Sequence, residues 1–153
     1  MKKVLVVNPF GIGDTIFSFY VVEALKQALP GARVDFLCNE RTLELARMNP
    51  ALTRLHEFNR DALRATRKKS VTAFIRKYRE MIAQIRAEKY DAMLDYSLGR
   101  EFGFLGWLAG IPQRIGFNYK NRGLFLNRKI AFNGYEKETV VAAQMQLLKF
   151  LSG

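Results

Sequence analysis

The residues best suited to chemistry stand near the start of the chain, in Asn8-Pro9-Phe10-Gly11-Ile12-Gly13-Asp14-Thr15. Gly11 and Gly13, one residue apart, let a backbone turn tightly and let a ligand come close to the amides. A helix starting there turns unpaired N–H groups and the positive end of its dipole toward an anion. Asp14 has two compatible readings. As an N-cap or first-turn carboxylate it stabilises the helix by about 0.5–2 kcal/mol. Held at the mouth of a ligand crevice, the same carboxylate takes a proton from a substrate hydroxyl, and a well-placed general base is worth roughly 10²–10⁴ in rate.

Asp95-Tyr96-Ser97-Leu98-Gly99-Arg100 has the same layout, polar residues and a glycine ahead of a helix. Ser97 is a candidate cap, and Arg100 is either a crevice side chain or a solvated arginine. Arg114, Asn118, Lys120 and Arg122 follow no helical stripe that would make them a simple solvated face, so anion binding is expected of them. A dinucleotide fingerprint wants Gly or Ala three residues after Gly13, where Ile16 stands, and no Gly-Lys-Ser/Thr follows to make a P-loop. His56 and Cys38 lack partners at ligand spacing, so neither a metal nor another cofactor is expected.

These residues need elements to position them. Val4-Leu5-Val6-Val7 is continuously apolar, as in a strand covered on both faces. A helical pattern follows through Ile16, Phe17, Tyr20, Val21, Ala24, Leu25, Ala28 and Leu29 until Pro30-Gly31 stops it. Strands are expected at 33–38, 53–58, 92–96 and 114–117, with a short extended piece at 129–132. Helices are expected at 42–48, 71–88, 101–109 and 137–151. The long helix carries Val71, Phe74, Ile75, Tyr78, Met81, Ile82 and Ile85 on one stripe. Strand–helix alternation at this spacing predicts an α/β fold, a Rossmann-like three-layer doubly wound parallel sheet, over one domain spanning 1–153. Such sheets bind ligands beyond the carboxyl ends of their strands, which selects the loops 8–14, 38–41, 96–101 and 117–123.

Composition narrows the function. The 153 residues are 49% hydrophobic, which excludes disorder, and 25 Lys and Arg against 14 Asp and Glu leave a formal charge of +11. That excess favours phosphates, carboxylates, an acidic lipid surface or nucleic acid as partners. The lone Cys38 forms no internal disulfide. Asn8-Pro9 ends the first apolar run too early for a signal peptide, and Phe102–Gly110 is about half the roughly 20 residues of a spanning helix. The chain is expected to be soluble and cytoplasmic, resting at most on the inner face of a membrane. The strongest bias lies in 60–89, with ten Lys and Arg against Asp61, Glu80 and Glu88. Arg67-Lys68-Lys69 reads as the lead-in to the long helix, whose Arg76, Lys77, Arg79 and Arg86 lie off the apolar stripe. This is a solvated face or a surface for peripheral contact with an anionic membrane. No nucleic-acid recognition module is visible, so no such partner is expected. The Gly99, Gly103, Gly106 and Gly110 series predicts close helix–sheet packing, with Phe102, Phe104, Leu105 and Trp107 in the core.

Taken in order, Gly11-Ile12-Gly13-Asp14, the stop at Leu29-Pro30, the Asn49-Pro50 break, Lys89-Tyr90-Asp91 leading to Asp95 and Gly99-Arg100, and Arg114-Ile115-Gly116-Phe117 resemble the N-terminal half of glycosyltransferase family 9. These are the lipopolysaccharide heptosyltransferases and their relatives. The resemblance runs over essentially the whole chain and implies half of a GT-B architecture. Its N-terminal domain takes an anionic glycolipid acceptor of the lipid A–Kdo type. A C-terminal domain, not in this chain, takes the nucleotide-sugar donor, typically ADP-heptose. Transfer is inverting and metal-independent, Asp14 is the general base, and Gly11, Gly13, Arg100, Arg114, Lys120 and Arg122 are the acceptor-binding residues. Tyr20 departs from the pattern, since the family usually has a proline six residues after the aspartate. The resemblance implies no transferase activity for this half alone, and an apolar face at Phe10, Phe117, Tyr119 and Phe125 for its missing partner. Two other classes stay open: a stand-alone module binding a nucleotide or phosphorylated ligand at loop 9–14, and a basic membrane- or nucleic-acid-associated protein without catalysis.

Overall fold

An unbroken apolar run suits a strand buried on both faces, and in the computed structural model Val4–Val7 is wholly buried at the centre of a six-stranded sheet. The structure describes residues 3–136 and 138–151. Both ends of the expected 1–153 domain, and the expected first residue of the last helix, Lys137, lie outside them. Strands β1 (Lys3–Val7), β2 (Arg33–Cys38), β3 (Leu52–Glu57), β4 (Ala92–Asp95), β5 (Gln113–Tyr119) and β6 (Arg128–Phe132) are all parallel, in the order β3-β2-β1-β4-β5-β6. The chain winds outward from β1 to β3, then crosses back to lay β4 on the other side of β1. That reversal makes the carboxyl ends of β1 and β4 the switch point of a doubly wound Rossmann-like α/β fold.

Helices α1 (Ile12–Ala28), α2 (Leu43–Arg47) and α6 (Val140–Met145), with a 3₁₀ segment at Gln146–Phe150, cover one face of the sheet. Helices α4 (Val71–Glu88) and α5 (Glu101–Leu108) cover the other. The alternation along β1 divides its burial accordingly: Val4 and Val6 pack with Val22 and Leu25, while Leu5 and Val7 pack with Ile85 and Leu105.

Several elements differ from expectation, each for a local reason. The supposed lead-in 60–69 is a helix, α3 (Arg60–Lys69). It buries no residue fully, and Leu63 is its one side chain packed toward the core, so its apolar side is too short to announce it. Instead the Asn59 side chain accepts a bond from the Ala62 N–H at its start, and Ser70 ends it while capping α4 through the Ala73 N–H. In α1, Val21, Val22 and Leu25 are buried, but Ile16, Phe17 and Tyr20 face outward. In α4, Val71 and Ile75 likewise leave the stripe for solvent. Ser97 is not the cap of α5; Arg100 holds that position and the Ser97 hydroxyl accepts from the Gly99 N–H. Trp107 is exposed rather than core, and Phe117 is buried among Tyr96 and Phe132 rather than free for a partner. Only Gly103 and Gly106 of the glycine series pack closely, against Phe125 and Met93.

The amino half of the sheet carries a buried charge cluster. Asp35 is fully buried on β2 and takes two bonds from the Arg33 guanidinium at 2.9 and 2.8 Å, one from the Arg54 N–H at 3.0 Å and one from the Tyr90 hydroxyl at 2.5 Å. Since Tyr90 spends its proton on Asp35, His56 Nε2, 2.7 Å from the phenol oxygen, is the donor there. Burial lowers the His56 ring below its ordinary value, which keeps it neutral. Glu88, at the end of α4, receives Arg33 at 2.9 Å, Lys3 at 3.5 Å and Arg54. Burial alone would raise its carboxyl, but the three cations together outweigh burial and hold it below the usual carboxylate value.

Two outcomes are expected. Tyr90→Phe leaves the His56 N–H buried without an acceptor and should lower unfolding free energy by about 1–3 kcal/mol in urea titrations. A loss below about 0.5 kcal/mol would show the network to be energetically idle. Because the folded pKa of Glu88 is depressed, its stabilisation is complete above the unfolded value of 4.5 and is lost as pH falls through the folded value. Glu88→Gln should therefore flatten the decline of the urea midpoint below pH 4.5.

Candidate functional site

The carboxyl end of β1 is anchored by two buried asparagines. Asn8, the residue after the strand, donates through Nδ2 to the Ser18 hydroxyl at 2.7 Å and the Asp14 carbonyl at 3.2 Å. Asn39, just after β2, donates to the carbonyls of Pro9 at 2.9 Å and Phe10 at 2.7 Å, while its Oδ1 accepts from the Arg41 and Thr42 N–H groups. Asn39 satisfies carbonyls that a tight loop would otherwise leave unpaired, and Asn8 ties the end of the strand to α1. Neither was singled out in the sequence, since nothing there shows that residues 39 and 9 meet.

Gly11 caps α1 with an ordinary extended φ of −81°, so the turn does not require glycine. A Cβ at Gly11 or Gly13 would meet nothing within 4 Å. What the two glycines provide is clearance above the helix start. Asp14 is the third residue of α1, half-buried, and among the described residues no hydrogen bond or ion pair engages its carboxylate. Its negative charge reaches Tyr135, on the loop after β6. Burial is the main reason that phenol is raised, a bond from Gln144 opposes it, and Asp14 adds to it. No sequence pattern links residues 14 and 135. Asp95 ends β4 beside β1 and accepts from the Ser97 N–H at 2.9 Å. Its complete burial pushes it up to about 6 against the counter-effect of Ser97.

Beside the glycine loop lies a pocket of about 240 Å³ at the ends of β1, β2 and β3, lined by Phe10, Gly11, Arg41, Phe58, Arg60 and Asp61, among others. A second hollow of about 260 Å³ shares Phe58 and Arg60 and continues along α3 past Arg64 and Arg67. Arg60 is paired with Glu101 at 3.3 Å, and Arg67 lies 5.8 Å over the Phe74 ring. Arginines thus follow the groove outward from the glycine loop, with Glu40 and Asp61 beside them at its inner end and Glu101 farther out. Arg41 and Arg60 were not among the expected ligands, because nothing local shows that the loop after β2 and the start of α3 meet at one pocket.

The expected cations are divided. Arg100 is exposed at the start of α5. Lys120 and Arg122 are exposed on the left-handed turn after β5, at 5.2 and 5.9 Å from the Tyr119 ring. Arg114 sits one residue into β5, in register with Met93 and two residues before the end of β4. Its Nε donates to the Phe125 carbonyl at 2.6 Å and its Nη1 to the Ile111 carbonyl at 2.7 Å, and burial lowers it. It ties the 111–127 segment together instead of joining the cations at the strand ends.

No protein-family model matches the sequence, and no curated protein is similar to it by sequence. Solved structures are similar in three dimensions. Over 96% of this chain and 40% of the other, the ADP-heptose lps heptosyltransferase II of E. coli superposes with a TM-score of 0.77 at 20% identity. The chain shares its fold with part of that transferase. E. coli heptosyltransferase WaaC with ADP-2-deoxy-2-fluoro heptose gives 0.81 at 19% identity over 96% of this chain and 47% of its own. A glycosyl transferase family 9 structure from Veillonella parvula gives 0.77 at 18% identity over 98% and 41%. The chain spans less than half the length of each of these structures.

The site yields one stability test. Asn39→Ala removes both bonds to the 9–10 carbonyls and should cost about 1–3 kcal/mol in urea unfolding. It should also speed amide exchange at Gly11 and Ile12 by more than the global loss predicts. Unchanged local protection would show that the loop holds its shape without Asn39.

Proposed function

We propose that this domain is the acceptor-binding half of an inverting, metal-independent glycosyltransferase of the heptosyltransferase type, with Asp14 as its general base. The observation that carries the reading is Asp14 itself: a carboxylate with no hydrogen bond or ion pair among the described residues, over two glycines that leave space, at the switch point of the sheet, with a groove alongside that Arg41 and Arg60 line together with Glu40 and Asp61. In the reaction an acceptor hydroxyl attacks the anomeric carbon of a nucleotide sugar. The new C–O bond forms as the bond to the nucleotide phosphate breaks, the phosphate leaves with the electron pair, and Asp14 takes the hydroxyl proton. Gly11 and Gly13 leave the acceptor room to approach. Arg41, Arg60 and Arg64, with Arg100, Lys120 and Arg122 at the neighbouring strand ends, suit the phosphates and carboxylates of an anionic glycolipid of the lipid A–Kdo kind. Arg114 has no part in this proposal. The nucleotide sugar belongs to a second domain facing the strand ends, and Phe10, Ile12, Ile16, Phe17 and Tyr20 supply exposed apolar surface there to meet it. The likeness to the heptosyltransferase folds supports this arrangement.

A stand-alone nucleotide-binding module fits less well. A phosphate at the start of α1 would face the Asp14 carboxylate, which repels it and already complements the helix dipole.

Two measurements test the reading. Calorimetric titration of the protein with ADP should show no binding below millimolar, whereas a phosphorylated, Kdo-bearing acceptor should bind and lose about tenfold in affinity on Arg60→Ala, as for one charge-assisted hydrogen bond. Tight ADP binding would favour the module instead. With the donor domain supplied, Asp14→Asn should cut transfer by roughly 10²–10⁴ while leaving acceptor affinity within about threefold. Turnover within a few-fold of the parent would leave Asp14 as a helix carboxylate only.

A further inference from the structure

Helix α3 buries none of its residues fully, and apart from Leu63 its packing does not account for its strongly basic composition. It rests on α4 through Leu63, the Arg67–Phe74 contact and a 3.2 Å bond from Lys77 Nζ to the Thr66 hydroxyl. All ten Lys and Arg of the 60–89 segment are exposed. Val71 and Ile75 join them at 61% and 48% exposure, although their helical spacing assigns them to the core. On the outward side of α4, Ile75, Arg76, Arg79 and Ala83 line a shallow depression of about 470 Å³ in which Glu80 is the sole acidic residue.

Exposed aliphatics set among arginines fit a lipid surface. The aliphatic groups gain by entering the boundary between headgroups and acyl chains, and the cations gain from anionic headgroups. A nucleic acid would use the charge but not Val71 or Ile75, and this face offers no free aromatic ring for base stacking: Phe74 lies under Arg67 and Tyr78 is half-buried. No described helix is long and apolar enough to cross a membrane. We propose that the outer face of α3 and α4, centred on Val71, Ile75, Arg76 and Arg79, docks the protein peripherally on an anionic membrane. The docking is independent of the proposed transfer reaction, since it needs neither donor nor acceptor.

The test is flotation of the protein with vesicles of phosphatidylcholine alone or with a minor fraction of phosphatidylglycerol, which gives the surface the negative potential that attracts basic segments. Binding should require the anionic lipid and weaken as salt rises. Each basic side chain near such a surface contributes about fivefold, so Arg76→Glu/Arg79→Glu should lower partitioning by about thirtyfold or more. Val71→Ser/Ile75→Ser should also lower it, by at least about threefold. A control with the same change of charge elsewhere, Arg47→Glu/Arg128→Glu, should retain most of the binding; Arg47 lies on α2, on the other face of the sheet, and Arg128 on edge strand β6. All six side chains are exposed, and matched urea midpoints will show that the variants fold. The proposal fails if uncharged vesicles bind equally well, or if the control pair loses as much as the α4 pair. It also fails if an oligonucleotide binds the protein more tightly than the anionic vesicles and ignores Val71→Ser/Ile75→Ser.

Discussion

The structure depends on holding one loop rigid at the point where the sheet reverses direction. β1 ends at Val7, and within seven residues the chain must leave the sheet, turn and start α1 with Asp14 in its first turn. A loop that short cannot pair its own carbonyls, so Asn39 does so from the end of β2, while Asn8 at the end of β1 clamps the first turns of α1. Both amides are buried, and a buried amide must find partners or cost free energy comparable to a lost hydrogen bond. The same pairing that stabilises the loop therefore determines where Asp14 stands and keeps Gly11 beside the pocket.

Charge is distributed along the sheet in two ways. On the amino half, Arg33, Arg54 and Lys3 are consumed by Asp35 and Glu88, so these cations hold the structure together and are not available to a ligand. At the carboxyl ends and along α3 and α4 the cations are exposed, and the pairings there, such as Arg60 with Glu101, are open to water. Exposed positive charge is thus concentrated at the strand ends and along the helical hairpin.

The alternation of strands and helices was legible because the apolar runs of β1, β2 and β4 are continuous and the breaks at Pro30-Gly31 and Asn49-Pro50 are local. Helix α3 was not, because its packed side amounts to little more than Leu63 among charged residues, too short a stripe for periodicity to report. The stripes of α1 and α4 were half right. Val21, Leu25, Ile82 and Ile85 pack on the sheet, but Ile16, Tyr20, Val71 and Ile75 are turned to solvent on the outward sides of their helices. Arg114 was misplaced for a related reason. A cation beside Gly116 reads the same whether its guanidinium meets a ligand or, as here, the carbonyls of Ile111 and Phe125.

By itself the sequence determined the fold class, the excess of positive charge and the position of a carboxylate just after a glycine turn, because each follows from neighbours within a few residues. Only the tertiary structure decided which distant groups meet that turn: Asn39 on its carbonyls, Tyr135 within the field of Asp14, and Arg41 and Arg60 around one pocket. Those meetings follow from strand order, and strand order arises from how the whole set of apolar faces packs, which no local segment encodes.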